Sequence, residues 1–266
     1  MELEKFTKVK LKELCIENGV DPKGTKAQLI VSLQLQLQSK EKNEPGLPSE
    51  AGPRPIPGVN CIWIASFDIG KNNFAFCIEE VDTHGFVKIS KPPKGQMGPY
   101  KKEIIEKVYK NGKIIVNENL SITQGVKGSV FDPKLFTNMN RVLEKWEGFW
   151  SNCTHVIIEE QMSFGRQTNI QAVKLGQHCY SWFNIKYPDI RIVSFHAYHK
   201  TQVLAAPLKM TKPERKKWSV IEAQGLLEGR GDTESISKIE GVSKKDDLCD
   251  TIIQLQAYKV LEFYLK

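Results

Sequence analysis

Apolar residues first recur along the chain at helical spacing. Phe6, Val9, Leu14 and Cys15 form one stripe, and Leu29, Ile30, Leu33 and Leu37 form a second. Residues 1–40 therefore read as a pair of helices. Gly19-Val20-Asp21-Pro22-Lys23-Gly24-Thr25 separates them with turn formers, and Thr25 is placed to cap the second helix. A pair this small has no deep core. The stretch 41–58 changes character: Pro45, Pro48, Pro53, Pro55 and Pro57 interleave with Gly46, Gly52 and Gly58. These residues forbid regular structure and make a semi-rigid linker, so the helical pair is expected to be a separate module.

Beyond the linker the period shortens. Residues 61–68 form an apolar run that reads as a fully buried strand. Gly70-Lys71-Asn72-Asn73 is a turn, and 74–80 and 86–89 read as further strands of a meander. Residues 91–131 predict no firm element beyond a short helix or strand. Leu135, Met139, Val142, Trp146 and Phe149 return to helical spacing, with Pro133 suited to a first turn. A strand over 156–159, a helix over 168–186, a strand over 191–195 and a helix over 212–227 follow. Residues 228–244 read as an exposed loop and 245–265 as a closing helix. This order predicts an α/β fold, one sheet with helices on both faces. It brings the ends of the first and fourth strands together and lets the last helix pack beside them.

Composition bounds the function. The 266 residues are 40% apolar, enough for a core, and carry a net charge of +7, which favours a polyanionic partner. No run of 18 apolar residues occurs, so no membrane span is expected. The six cysteines form no C-x-x-C pair and mostly sit in apolar runs. They read as reduced, buried thiols of an intracellular protein, without a zinc site. The acidic start, Met1-Glu2-Leu3-Glu4, resembles neither a secretory signal nor an Arg-rich transit peptide.

The candidate chemistry lies in carboxylates that end predicted elements. Asp68 ends the first buried run, Glu159 and Glu160 end the strand before 161, and Asp246, Asp247 and Asp250 open the last helix. Asp68 could equally open a turn, and Asp246 and Asp247 could simply complement a helix dipole. Only one of Glu159 and Glu160 can point into a shared site, because strand side chains alternate. Asp246 or Asp247 shares a helical face with Asp250, where like charges repel unless a cation intervenes. Mg²⁺ prefers such hard oxygen ligands, and a pair of ions can cut phosphodiesters.

Three blocks, in this order, carry a family resemblance: Ser66-Phe67-Asp68-Ile69-Gly70-Lys71-Asn72-Asn73-Phe74-Ala75, Ile157-Ile158-Glu159-Glu160-Gln161, and Lys244-Lys245-Asp246-Asp247-Leu248-Cys249-Asp250. They resemble the mitochondrial Holliday-junction resolvases of fungi, relatives of bacterial RuvC and the poxvirus resolvases. The resemblance spans residues 60–266, and the Lys-Lys-Asp-Asp-x-x-Asp block is its most specific part. It implies an RNase H-like mixed sheet flanked by helices over 59–266, a homodimer, Mg²⁺ or Mn²⁺, paired nicks in four-way DNA junctions, and a mitochondrial location. By position it makes Asp68, Glu159, Asp246 and Asp250 the metal ligands. Glu159 follows from the Glu-x-Gln spacing to Gln161; the bacterial Glu-Gln pattern would select Glu160, and Asp247 is the alternative to Asp246. In the helical pair, Gly19-Val20, Gly24-Thr25-Lys26 and Leu29 resemble a SAP motif, a small DNA-binding unit.

A branched-DNA partner would be held largely by cations. Candidates are Lys71, Lys200, Lys209, Lys212, Arg215, Lys216, Lys217, Lys244 and Lys245, with Lys23 and Lys26 in the helical pair; each also reads as ordinary surface charge. Phe164 and Arg166 follow the Glu-x-Gln block, where Phe164 could wedge into a junction or pack in the core and Arg166 could hold a phosphate. Val173, Leu175, Tyr180, Trp182 and Phe183 exceed one core face of their helix and suit a dimer interface. Two rival readings are a catalytically inactive SAP-type DNA-binding protein and an RNase H-like nuclease acting on flaps or RNA–DNA hybrids.

Overall fold

The computed structural model describes residues 6–18, 20–43, 60–84, 86, 97–127, 132–161 and 169–264, with backbone alone at 35–43 and 97–100. The chain divides into two compact units, 1–51 and 52–266. The first holds α1 (Lys8–Glu17) and α2 (Lys26–Asn43). Thr7 caps α1. Thr25 and Gln28 cap α2 reciprocally: the Gln28 N–H donates to Thr25 Oγ1 (3.4 Å) and the Thr25 N–H to Gln28 Oε1 (2.8 Å). Leu11, Cys15, Leu29 and Leu33 form its small core. Val9, expected on the inner stripe, is 70% exposed. Leu11 takes the inward place because it lies four residues, one helical turn, before Cys15.

The second unit is built on β1 (Cys61–Ile69), β2 (Phe74–Asp82), β3 (Lys113–Leu120), β4 (Cys153–Glu160) and β5 (Arg191–His196). Between β2 and β3 lies α3 (Met97–Lys110), and between β3 and β4 lie α4 (Pro133–Lys145) and α5 (Glu147–Trp150). Then come α6 (Ile170–Lys186), α7 (Tyr198–Val203), α8 (Lys212–Arg230), α9 (Thr233–Glu240), α10 (Lys245–Lys259) and a π-helical turn, Val260–Tyr264. The sheet order is β3-β2-β1-β4-β5. Strands β1 to β3 pair antiparallel, and β4 and β5 run parallel to β1. This is an α/β fold of the RNase H-like kind.

Several expectations need correction. The strand that completes the meander beside β2 is β3; of the expected strand 86–89, Phe86 lies outside any strand and 87–89 lie outside the described residues. The helix expected through Phe149 breaks at Trp146, because the Trp150 indole N–H takes the Leu143 carbonyl (2.7 Å). The stretch 228–244 is not simply a loop: Asp232 caps α9, and Ile239 is fully buried against α8 and α10. The two apolar residues of α9, Ile236 and Ile239, are too few to reveal a period.

Alternation along β1 gives the sheet two unlike faces. Phe67 packs against Phe74, Phe76, Trp150 and Phe183 in an aromatic layer beneath α5 and α6. Ile64, with Cys77, Val81 and Ile157, faces an aliphatic layer closed by α8 and α10. Helix α10 is buried nearly all round, from Leu248 to Val260. On this face Gln254 donates to Ser66 Oγ (3.1 Å) and the Phe67 carbonyl (3.1 Å).

A buried ionic group locks the other end of α10. Lys259 donates to Glu79 Oε1 (2.7 Å) and Gln256 Oε1 (2.9 Å), and Arg230 donates to Glu79 Oε1 (3.1 Å). The same two cations also take the Val108 and Asn111 carbonyls at the C-terminal end of α3, where positive charge is favoured. Gly112 has φ 136°, and a Cβ there would meet Glu79 Oε1 at 1.6 Å, so glycine is required twice over.

Candidate active site

Strands β1 and β4 run parallel, with Phe67 opposite Ile158. The next residues of each, Asp68 and Glu159, therefore leave the sheet side by side. Glu159 shares the face of Ile157, which packs in the α10 layer. Its Oε2 accepts from Lys200 Nζ at 2.7 Å. Glu160 points the other way, is exposed, and pairs with His196 Nδ1 at 2.8 Å. Of the two glutamates, Glu159 is the one turned toward Asp68.

The third contribution comes from α10. Asp250 lies 3.8 Å from Lys200 Nζ. Asp246 is bound to Lys216 on α8, while Asp247 accepts from Asn119 on β3 (3.4 Å). Asp247, the alternative in the sequence reading, is among the charges that act on Asp68.

Lys200, from the short helix α7, sits among these groups with 8% exposure. Burial opposes its charge, but Glu159, Asp250 and Asp68 outweigh that and hold the ammonium above the usual lysine range. Asp68 is pushed well above the ordinary aspartate range by burial first, then by Glu159; Lys200 offsets this, and Asp250 and Asp247 add to it. Burial, then Asp246, raises Asp247 as well. The site thus gathers Asp68, Glu159 and Asp250 around one buried cation, with Asp247 adding its charge to the field at Asp68.

Glu159, Asp250 and Lys200 open onto a cleft of about 520 Å³. Lys212, Arg215 and Lys216, in the first turns of α8, line it as well, as do His196 and Tyr198. Helix α8 starts there because Thr211 and Glu214 form a capping box. Among the other expected cations, Lys71, Lys209, Lys217 and Lys244 are exposed and Lys245 is half-buried. Lys23 and Lys26 are exposed in the first unit. Phe164 and Arg166 lie outside the described residues. On α6, Leu175 and Phe183 are fully buried and Trp182 nearly so, leaving Tyr180, Ile170 and Ile185 as its exposed apolar surface.

Sequence reasoning misses two residues here, Asn119 and Gln254, and offers Lys200 as a phosphate contact where the structure makes it an internal counter-ion. Lys200 had a weak signal, since a lysine one turn past a strand end on the glutamate side can reach inward. Gln254 and Asn119 had none, because amides carry no charge pattern.

The donors are all hard oxygens with excess negative charge, and that chemistry fits Mg²⁺ or Mn²⁺. Among the described residues no three acidic, His or Cys side chains are placed to grip one ion. The ammonium of Lys200 lies where their charges converge.

No family profile matches the chain. Two viral relatives do. The uncharacterized protein 170L of invertebrate iridescent virus 6 is 34% identical over 240 residues, covering 77% of this chain and 92% of that protein. Protein 97L of invertebrate iridescent virus 3 is 34% identical over 221 residues, covering 74% and 98%. Among solved structures, the yeast mitochondrial Holliday junction resolvase Ydc2 aligns with TM-score 0.48 and 14% identity over 95% of this chain and 92% of that one. The fowlpox virus resolvase in complex with Holliday junction DNA aligns with TM-score 0.46 and 17% identity over 76% and 100%. The sequence relatives are thus viral, where the resemblance pointed to a fungal branch, and they give a mitochondrial location no support. No helix among the described residues is long and apolar enough to cross a membrane. At this identity and coverage, the chain belongs to the family of the invertebrate iridescent virus proteins 170L and 97L.

Proposed function

We propose that the protein is a structure-selective, metal-dependent DNA endonuclease that nicks four-way junctions. One observation carries the reading: carboxylates from β1, β4 and α10 assemble around a single buried ammonium beside a cleft lined by cations. A cluster this repulsive is costly without added positive charge, and a fold keeps such a cost where function needs it. The resolvase-like blocks at the same three places favour branched DNA over flaps or hybrids.

In this reading Asp68, Glu159, Asp247 and Asp250 would hold Mg²⁺ or Mn²⁺, with Asp246 set back on Lys216. Bound divalent ions supply the activation of water and the charge stabilisation that phosphodiester hydrolysis needs. The chain's own residues do the rest. Lys212, Arg215 and Lys216 draw the phosphate backbone to the cleft. Lys200 keeps the carboxylates together before the ions arrive and afterwards is a positive group near the reacting phosphate. Two copies related by a two-fold axis would give a junction its paired nicks. The N-terminal helical pair, with Lys23 and Lys26 exposed, would add DNA contacts as a SAP-like module.

The test is to offer the full chain a four-way junction, a flap and an RNA–DNA hybrid in Mg²⁺, beside Asp68→Asn. Paired nicks in the junction, lost in the variant, are the expected result. Unchanged function in Asp68→Asn would favour a DNA-binding protein without catalysis, and cleavage of flaps or hybrids alone would favour a different nuclease.

A further inference from the structure

Two aromatic rings at the cleft are unused by the proposed chemistry. His196 ends β5, and its ring stacks on Tyr198 with centroids 5.2 Å apart and planes 17° apart. Tyr198 rests on His199 at 4.2 Å, and His199 rests on the buried Phe195 at 5.4 Å. The His196 ring is also tied to Glu160 at 2.8 Å. The pair is therefore held from behind, yet Tyr198 is 52% exposed and His196 is exposed. A large apolar ring fixed at the surface has already lost its rotamer freedom, so stacking on it costs little ordering.

We infer that His196 and Tyr198 form a stacking platform for an unpaired nucleobase beside the acidic cluster; this rests on the nuclease reading above. Both rings line the same cleft as Glu159 and Asp250. Lys200, two residues past Tyr198 on α7, contacts Glu159. The platform and the cluster's counter-ion are thus carried by one short stretch of chain, so a base on the rings would set its phosphate beside the cluster. The occupant is set by charge. Lys212, Arg215 and Lys216 in the cleft suit a phosphate chain, whereas Glu160 beside His196 repels phosphate and leaves the ring surface to a neutral base. Bases stacked inside a duplex cannot reach a protein ring, so the platform selects the unstacked nucleotide of a branch point or single strand.

The experiment uses the full chain and a four-way junction carrying 2-aminopurine at successive positions around the branch. Fluorescence reports stacking, anisotropy reports affinity, and nicking is followed in Mg²⁺. The expected result is quenching at one position near the branch, kept in Tyr198→Phe and lost in Tyr198→Ala and Tyr198→Leu. Affinity should weaken about 5- to 150-fold in the last two, the range for losing one base–aromatic stack. The leucine variant keeps the bulk of the ring if the alanine variant fails to fold. Quenching retained in Tyr198→Leu, or no DNA binding by the full chain, overturns the inference. Unchanged quenching and affinity in Tyr198→Leu, beside normal nicking, sink the platform and leave the nuclease standing; quenching without nicking of any substrate sinks the nuclease reading instead.

Discussion

Gln254 donates one amide group to both Ser66 Oγ and the Phe67 carbonyl, each at 3.1 Å. This link sets the geometry of the acidic cluster. Asp68 lies two residues beyond Ser66, about 7 Å along a strand. Asp250 lies four residues before Gln254, about 6 Å along a helix. The near-equal steps bring the two carboxylates to the same level. Gln254→Leu should therefore damage function more than folding. We expect a stability loss of about 1–3 kcal/mol for the unmet buried partners. Nicking should fall by about a hundredfold, as misplacement by an ångström does elsewhere. Urea unfolding and junction cleavage, measured together, check the split; equal small effects on both would remove Gln254 from the positioning role.

Asp68 pays for its place among like charges. Removing its charge should relieve repulsion from Glu159, Asp250 and Asp247. In chelator, Asp68→Asn is expected to melt above the wild type, while nicking falls at least about a thousandfold, the rate equivalent of several kcal/mol of lost cation stabilisation. Added Mg²⁺ should raise the wild-type melting temperature and leave that of the variant nearly unmoved. Calorimetric scans with and without Mg²⁺ make the comparison, and a variant less stable than wild type in chelator would contradict the repulsion account.

The sequence made the strands and the carboxylates legible for physical reasons. Residues 63–67 and 156–158 are buried on both faces, so they appear as nearly unbroken apolar runs. The charges that end them stand out against that background. What was hidden is what tertiary packing alone decides. Strand β3 alternates weakly as Lys113-Ile114-Ile115-Val116-Asn117-Glu118-Asn119, and its polar residues Asn117, Glu118 and Asn119 are buried or half-buried, with Glu118 accepting from Lys238 of α9 and Asn119 donating to Asp247 of α10. Helix α7 is only 6 residues long, too short to show a period, yet it delivers Lys200. The pairing of Asp246 with Lys216, which reaches in from α8, is likewise a tertiary contact that the Asp246-Asp247 dipeptide does not announce.

Lys200 should behave as a stand-in cation. Its ammonium is bonded to Glu159 and lies 3.8 Å from Asp250. Lys200→Met leaves buried carboxylates without their partner, and we expect a loss of about 3–5 kcal/mol in chelator. Mg²⁺ should restore more stability to this variant than to the wild type, because no ammonium competes for the oxygens. Titration calorimetry should show tighter Mg²⁺ binding by the variant. Unaltered Mg²⁺ affinity would mean that Lys200 and the ions do not share the same ground.

Glu79 makes the acid stability of the fold depend on a site far along α10 from the carboxylate cluster. Burial pushes its pKa up, but Arg230 and Lys259 outweigh that and hold it below its ordinary 4.5. Above 4.5 both folded and unfolded chains carry the charge, and the contribution is complete. As pH falls from there, the unfolded chain takes up the proton first, so stability declines until the folded carboxyl also protonates. Urea unfolding between about pH 5 and 3 should show this slope, and Glu79→Gln should flatten it. At pH 7 the same variant should be less stable by about 3–5 kcal/mol, because Lys259 and Arg230 would remain buried without their counter-ion. Lys259, fully buried and pushed down to about 8 mainly by burial, is the partner whose charge is most exposed to that loss. A double variant, Glu79→Gln with Lys259→Met, should recover part of the stability, since both charges then leave the core together. An acid slope that survives in Glu79→Gln would assign it to other carboxylates instead.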